Sequence, residues 1–364
     1  MYQRTFPVLI MAILFILLVA ACAQAEEPPP AAGEPEDQPP QLEAVGYGSI
    51  VQQVRSRGEV VCGGRNDLLG FGYLDAAGQT IGFDIDFCRA VAAAVFGDPD
   101  QIEVVNLTAA ERGPALQTGE VDILSRNATW TTSRDAQWGN FVWTTFYDGQ
   151  GFMVRTASGI TTIEQLEGGT VCVTTGTTTE LNLADAFRQR GLSFDAVTFE
   201  DTASVYGAYE EGRCDAATSD VSQLAAVREG FANPADHVIL DIVISKEPLT
   251  PAVPHGDDQW FDIVKSVAWG LINAEELGVT QANVEQMVNS DNVEIRRLLG
   301  AEGDWGQADL GLSSDVMVQV IKAVGNYGEI YDRYMGPQGI AFSLDRGLNQ
   351  LWTQGGIMYA PPLR

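Results

Sequence analysis

QTIGFDIDFCRAVAAAVFG, residues 79–97, decides the fold. It passes from a strand edge into a helix whose end is marked by Gly97 and Pro99. Upstream, EVVCGG (59–64) reads as a short buried strand, and QIEVVNL (101–107) supplies the next one. TAAERGPALQTGEVDILS (108–125) adds a further helix and strand, with Glu111 as an early acidic residue and Gly119 as the stop. This alternation predicts an α/β fold with a parallel sheet. FYDGQGFMVR (146–155) then leads into a second region of the same kind. There TVCVTTG (170–176) runs into the helix TTTELNLADAFRQRG (177–191), followed by DAVTFE (195–200), a helix around Val205–Glu211, and CDAATSD (214–220).

VILDIVISKEPLTPAV (238–253) reads as a return strand, and a helix-rich stretch runs from Asp258 to the C-terminus. The chain leaves a first lobe near Tyr147 and comes back near Ile244. The economical arrangement is a discontinuous lobe, 46–148 with 245–364, and a continuous lobe, 149–244, joined by two hinge segments with a cleft between them. Helices from Gly278 to Gly336 are expected to pack on the first lobe. Ligands of open α/β sheets bind beyond the carboxyl ends of strands, and Arg126, Asn127, Thr175 and Asp220 all stand just past apolar strand runs.

The N-terminus addresses the protein outward. Arg4 precedes an apolar run from Val8 to Ala21, shorter than the roughly 20 residues a bilayer span needs, so 1–21 reads as an export signal. Val19, Ala20, Ala21, Cys22 resembles a bacterial lipobox, with Cys22 as the lipid attachment point and the membrane reached through that anchor alone. Residues 22–45, rich in Pro and Glu, cannot bury enough surface to offset ordering entropy and read as a disordered tether. The formal charge of −28 excludes nucleic acid as a partner, because phosphate binding needs basic patches. His237 and His255 lie far apart without a cysteine at ligand spacing, so no metal and no cofactor is expected. The remaining cysteines, Cys62, Cys88, Cys172 and Cys214, fit two disulfides in an oxidising compartment. Of the three possible pairings, Cys62 with Cys88 and Cys172 with Cys214 keeps each bridge within one lobe; buried free thiols are the alternative.

The chemistry is concentrated in VDILSRNATWTTSRD (121–135), which carries Arg126, Asn127, Thr129 and Arg134, and in Thr177 and Asp220 further on. Guanidinium groups grip carboxylates and a carboxylate accepts from an ammonium, so this set suits a zwitterion better than it suits catalysis. Arg65 and Arg126 make the distal pocket basic, favouring glutamate, aspartate or glutamine, although Arg65 could instead pair with Asp67 or Asp84. Phe71 is an apolar lid or a core residue, and Trp130 could likewise be either.

GFDIDFCRAVAAAVFGDPD (82–100), VDILSRNATWTTSRD, FYDGQGFMVR, GTTTELNLAD (176–185), SKEPLTPAVPHGDDQW (245–260) and GLNQLWTQGGIMYAPPLR (347–364) together resemble the general L-amino-acid-binding proteins of polar amino-acid ABC transporters. The resemblance implies a two-lobed periplasmic-binding-protein type II fold, monomeric, that closes on an amino acid and delivers it to a membrane permease. It implies that Arg134 clamps the α-carboxylate with Thr129, that Thr177 completes it from the second lobe, and that Asp220 takes the α-ammonium. Alternative roles are a surface pair of Arg134 with Asp135 and helix capping by Thr177 and Asp220. Gly113 departs from the bulkier side chain usual in the family. A cyclohexadienyl or arogenate dehydratase on the same fold is the alternative function, and a sensor input domain is a third.

Overall fold

The computed structural model describes residues 47–364. The export signal, Cys22 and the tether lie outside the described residues.

Two five-stranded sheets organise the chain. The first orders its strands 102–106, 60–64, 123–124, 252–253 and 140–141; the second orders 195–199, 170–174, 216–220, 150–155 and 237–239. Val60–Gly64 pairs in parallel with Ile102–Asn106 and Ile123–Leu124, and Thr170–Thr174 pairs in parallel with Asp195–Phe199 and Ala216–Asp220. Neither sheet is wholly parallel, contrary to the reading of the strand–helix alternation. Ala252–Val253 joins the first sheet antiparallel, while Gln150–Arg155 and His237–Ile239 enter the second antiparallel. Gln150–Arg155 and Ala252–Val253 arrive by crossing between lobes, without the helical crossover that imposes parallel pairing, and His237–Ile239 pairs antiparallel with the first of these. The expected single return strand over 238–253 is accordingly broken into His237–Ile239, Glu247–Leu249 and Ala252–Val253. Two short segments, Phe146–Asp148 and Glu247–Leu249, pair with each other antiparallel as the link between the sheets.

The helix Phe83–Phe96 lies at the centre of the first lobe, with all but two of its residues buried. It contacts Val60–Gly64 on one side and the helices Asp258–Glu276, Val316–Val324 and Tyr327–Met335 on others. The small side chains of Ala90, Ala92, Ala93 and Ala94 let neighbours approach its backbone closely. Gly82, φ 147°, begins this helix where a Cβ would fall 2.1 Å from the carbonyl oxygen of Phe71. That contact sets Phe71 into the core: it is fully buried and meets Phe83 and Phe146 edge to face, with ring centroids 6.1 and 5.3 Å away. Phe71 is therefore part of the packing beneath the first lobe and not a lid over the cleft.

The C-terminal segment reaches the link strands. Asn349 Oδ1 accepts the Tyr147 N–H at 2.6 Å and its Nδ2 donates to the Tyr147 carbonyl at 3.1 Å. Arg346 holds the Asn349 carbonyl and grips Glu275 through two nitrogens at 2.6 and 3.1 Å. The Tyr327 hydroxyl donates to the Thr145 carbonyl at 2.8 Å.

Both disulfides join Cys62 with Cys88 and Cys172 with Cys214. The second spans 42 residues of sequence and ties the strand 170–174 to the entry of 216–220. Closing a loop of that length restricts the unfolded chain by an amount corresponding to about 4 kcal/mol. Replacing Cys172 and Cys214 together by Ala is expected to lower the unfolding free energy by about 2–4 kcal/mol in denaturant titration. A double variant as stable as the wild type would show that the bridge leaves the unfolded ensemble unrestricted.

Candidate functional site

The cleft between the sheets is lined by Arg65, Arg112, Arg126 and Asn127 with Thr129 from the first lobe, and by Thr177, Thr178, Thr202, Asp220 and Gln223 from the second. Each group arrives at a strand end or a helix start. Arg65 follows Val60–Gly64, Arg126 and Asn127 follow Ile123–Leu124, and Asp220 ends Ala216–Asp220. Thr177 begins the helix Thr178–Arg190: its Oγ1 accepts the Glu180 N–H at 3.1 Å and donates to the Thr174 carbonyl at 2.7 Å. The capping role foreseen for Thr177 is real, and the same helix N-terminus aims its free N–H groups and positive dipole end at the cleft.

Asn127 is the one non-glycine among the described residues with a positive φ, 34°. The strain is held by Asp84, whose Oδ2 accepts the Asn127 N–H at 2.7 Å. Burial pushes the Asp84 carboxyl up to about 7, opposed by that N–H and by Arg65 and Arg126.

Arg65 is spent within the protein. Its Nε donates to Asp67 at 2.7 Å, Nη1 reaches Asn127 Oδ1 and Gln223 Oε1 at 3.2 and 3.3 Å, and Nη2 donates to Thr202 Oγ1 at 2.7 Å. The Asp67 pair foreseen as an alternative forms, and the same guanidinium bridges the lobes. Arg126 donates Nε to the Leu107 carbonyl at 2.5 Å. Arg134 donates Nη1 to the Thr129 carbonyl at 3.1 Å and stands behind the lining, 4.6 Å over the Trp138 ring. Asp135, the surface partner considered for Arg134, instead accepts the Phe141 N–H. Thr175 also stays out of the lining, with its hydroxyl 3.4 Å from Glu180 Oε2. Trp130 is partly exposed and stacks on Phe141.

The sequence reading missed Arg112. It is 4% exposed, its Nε has no hydrogen-bond acceptor, and its guanidinium carbon lies 5.6 Å over Trp138. The signal was present in Gly113: a Cβ there would stand 2.6 Å from the Trp138 indole. Without that Cβ the indole slides beneath Arg112 and Arg134 and offers its face to both cations.

Charge in the cleft is unbalanced. Arg112, Arg126 and Arg134 are all more than nine-tenths buried, and none forms an ion pair among the described residues. Burial, then the charges of Arg134 and Arg126, hold Arg112 well below the ordinary arginine range; Arg126 is pushed down to about 9, chiefly by burial and then by Arg65. A guanidinium stays protonated at neutral pH even so. Asp220 faces them, 6% exposed, with Oδ1 lacking any donor. Burial, then Asp148 and Glu247, raise its carboxyl well above the usual range, against Arg112 and Arg134. Chemically the arrangement can accept a molecule carrying carboxylate and ammonium groups.

A profile of the bacterial extracellular solute-binding proteins, family 3, matches residues 60–337. The general L-amino acid-binding periplasmic protein AapJ of Rhizobium johnstonii is 53% identical over 318 residues, 87% of this chain and 93% of that protein. The glutamate/glutamine/aspartate/asparagine-binding protein BztA of Rhodobacter capsulatus is 48% identical, over 87% of this chain and 94% of its own length. A solved ABC transporter periplasmic binding protein from Brucella ovis with glutathione bound is 48% identical and superposes with a TM-score of 0.84, covering 87% of this chain and all of that one.

Gly113→Ala forces the new methyl into the indole and is expected to cost about 1–3 kcal/mol of stability by thermal or denaturant melting. Gly207→Ala, at a helical site with nothing within 4 Å, is the matched control and should be neutral or slightly stabilising. Equal melting of the two variants would contradict the packing assigned to Gly113.

Proposed function

Since the chain belongs to the bacterial extracellular solute-binding proteins of family 3, we propose that it captures polar L-amino acids outside the cytoplasm and delivers them to an ABC-transporter permease. One observation carries this reading: three buried guanidinium groups without ion pairs face one buried carboxylate whose Oδ1 lacks a donor. A zwitterion supplies both missing partners at once. Its ammonium goes to Asp220, and its α-carboxylate to the N-terminus of helix 178–190 and to the remaining guanidinium N–H groups of Arg134 behind Thr129, whose hydroxyl gives its proton to Glu247 and offers the ligand a lone pair.

A second carboxylate fits the remaining cations. Arg65 is engaged by four protein groups, so its part in the distal pocket is to shape the wall, and the free charge is that of Arg112 and Arg126. Glutamate and aspartate are therefore the favoured ligands, with glutamine next. The names of the relatives support this: one binds L-amino acids generally and another glutamate, glutamine, aspartate and asparagine. Glutathione, found in the Brucella ovis structure, likewise carries an amino-acid head and a second carboxylate.

The ligand's contacts to both lobes exist only in the closed form, and that difference in affinity drives closure. The protein acts as a monomeric receptor and not as an enzyme, and it is held at the membrane surface by lipid on Cys22. Cys22→Ala should release it from the membrane fraction; retention on membranes would refute the anchor.

Titration calorimetry against the twenty L-amino acids and prephenate tests the function. Tight binding of glutamate, aspartate and glutamine without turnover is expected, whereas no amino-acid binding, or sustained heat with prephenate, would replace receptor by enzyme. Arg112→Leu should weaken glutamate by about 10- to 100-fold, the worth of a charge-assisted hydrogen bond, and leave leucine within about threefold. Equal loss for both ligands would move Arg112 to the shared amino-acid head. Burial raises the Asp220 carboxyl, and a proton on it competes with the ligand ammonium, so affinity should fall as pH is lowered from neutrality. A flat profile would contradict ammonium binding at Asp220.

A further inference from the structure

Glu247 is a buried carboxylate outside the set of groups assigned to the amino acid. It begins the link strand Glu247–Leu249 and is 1% exposed. Four side chains donate to it. Its Oε2 accepts the hydroxyls of Thr129 at 2.6 Å and Thr178 at 2.8 Å, and its Oε1 accepts Asn182 Nδ2 at 2.7 Å and Ser245 Oγ at 2.6 Å.

The donors come from both sides of the cleft. Thr129 follows the strand 123–124 of the first sheet, and Thr178 and Asn182 lie in the opening turns of the helix 178–190 of the second lobe. Thr129 and Thr178 are also the hydroxyls that line the cleft from opposite walls, 3.2 Å apart. One carboxylate on the hinge thus fixes the position of a ligand-facing hydroxyl in each lobe.

Separating the lobes cannot leave this carboxylate satisfied. A buried anion needs its lone pairs filled, and bonds to a charged acceptor are about twice as strong as neutral ones. Opening removes the Thr129 donor or the two helix donors, depending on which lobe Glu247 follows, and water must replace them. The closed arrangement therefore has a stabilising contact that requires no ligand.

We propose that Glu247 is a positioning residue of this site, a carboxylate latch that takes the protons of Thr129 and Thr178, turns their oxygen lone pairs toward the ligand and biases the lobes toward closure before any ligand arrives. The amino-acid reading supplies only the identity of the ligand. The latch itself rests on the contacts around Glu247.

The test compares the full-length wild type with Glu247→Ala and Asn182→Ala. Small-angle scattering reports compactness with and without saturating L-glutamate, and stopped-flow fluorescence reports binding and dissociation of glutamate, glutamine and leucine. Without ligand, Glu247→Ala should be more extended than the wild type, and with glutamate the two should coincide. Its affinities should weaken about tenfold or more by one common factor across the three ligands, mostly through faster dissociation. Asn182→Ala removes one second-lobe donor remote from the ligand and should change every reading in the same direction by a smaller factor. It also decides the matter if Glu247→Ala does not fold. Unchanged ligand-free scattering with unchanged dissociation would overturn the latch, and so would a loss confined to one ligand, which would make Glu247 a direct side-chain contact. A wild type that binds no amino acid would sink the functional reading alone, because the ligand-free scattering still judges the latch.

Discussion

Three arginines placed out of water without ion pairs among the described residues constrain everything around them. Arg112, Arg126 and Arg134 are buried yet form no ion pair among the described residues, although the charges of Asp220 and Glu247 act on Arg134 and those of Asp67, Asp84 and Glu111 on Arg126; on the proposed reading a ligand entering the cleft completes the balance. Burying an unpaired ion costs several kcal/mol, and a fold tolerates it where function recovers the energy. The Trp138 indole, admitted by the missing side chain of Gly113, lessens the cost by offering its face to two of the three. Asp220 answers them from the second lobe without closing on any of them, and its Oδ1 has no donor.

The scaffold makes this imbalance usable. Two sheets, each with a parallel core, set their strand ends against one another, and the strands that cross between lobes run antiparallel. The paired link segments 146–148 and 247–249 are braced by Asn349 and Arg346 of the C-terminal segment, which lies beyond the part of the chain that the family profile matches. Internal bridges across the cleft, from Arg65 to Thr202 and from Glu247 to Thr129 and Thr178, hold the closed arrangement by contacts of the protein's own.

Much of this was legible in the chain. The helix stop at Gly97, the strand–helix alternation and the two within-lobe cysteine pairs gave the fold class and the bridges, because they depend on local pattern and on short separations. What escaped depended on tertiary placement. Phe71 and a lid residue look alike in sequence, and only the full burial of its ring against Phe83 and Phe146 shows that it turns into the core. Arg112 sits in an amphipathic helix where an arginine ordinarily faces solvent, and its role emerges only with Trp138 beneath it. Thr175 was placed in the cleft by its position at a strand end, but the next turn directs its hydroxyl toward Glu180. The strands 150–155 and 252–253 were misread as parallel because alternation carries no information about a chain that changes lobes.

The central claim is that the ligand completes the charge balance with an ammonium and two carboxylates. The most direct measurement is the affinity of L-glutamate beside ligands that each lack one charge: glutarate without the ammonium, 4-aminobutyrate without the α-carboxylate, and L-glutamine without the side-chain charge. The account predicts loss of about 100-fold or more for the first two, since either leaves a buried partner unpaired, and about tenfold for glutamine. Glutarate or 4-aminobutyrate binding as tightly as glutamate would contradict it.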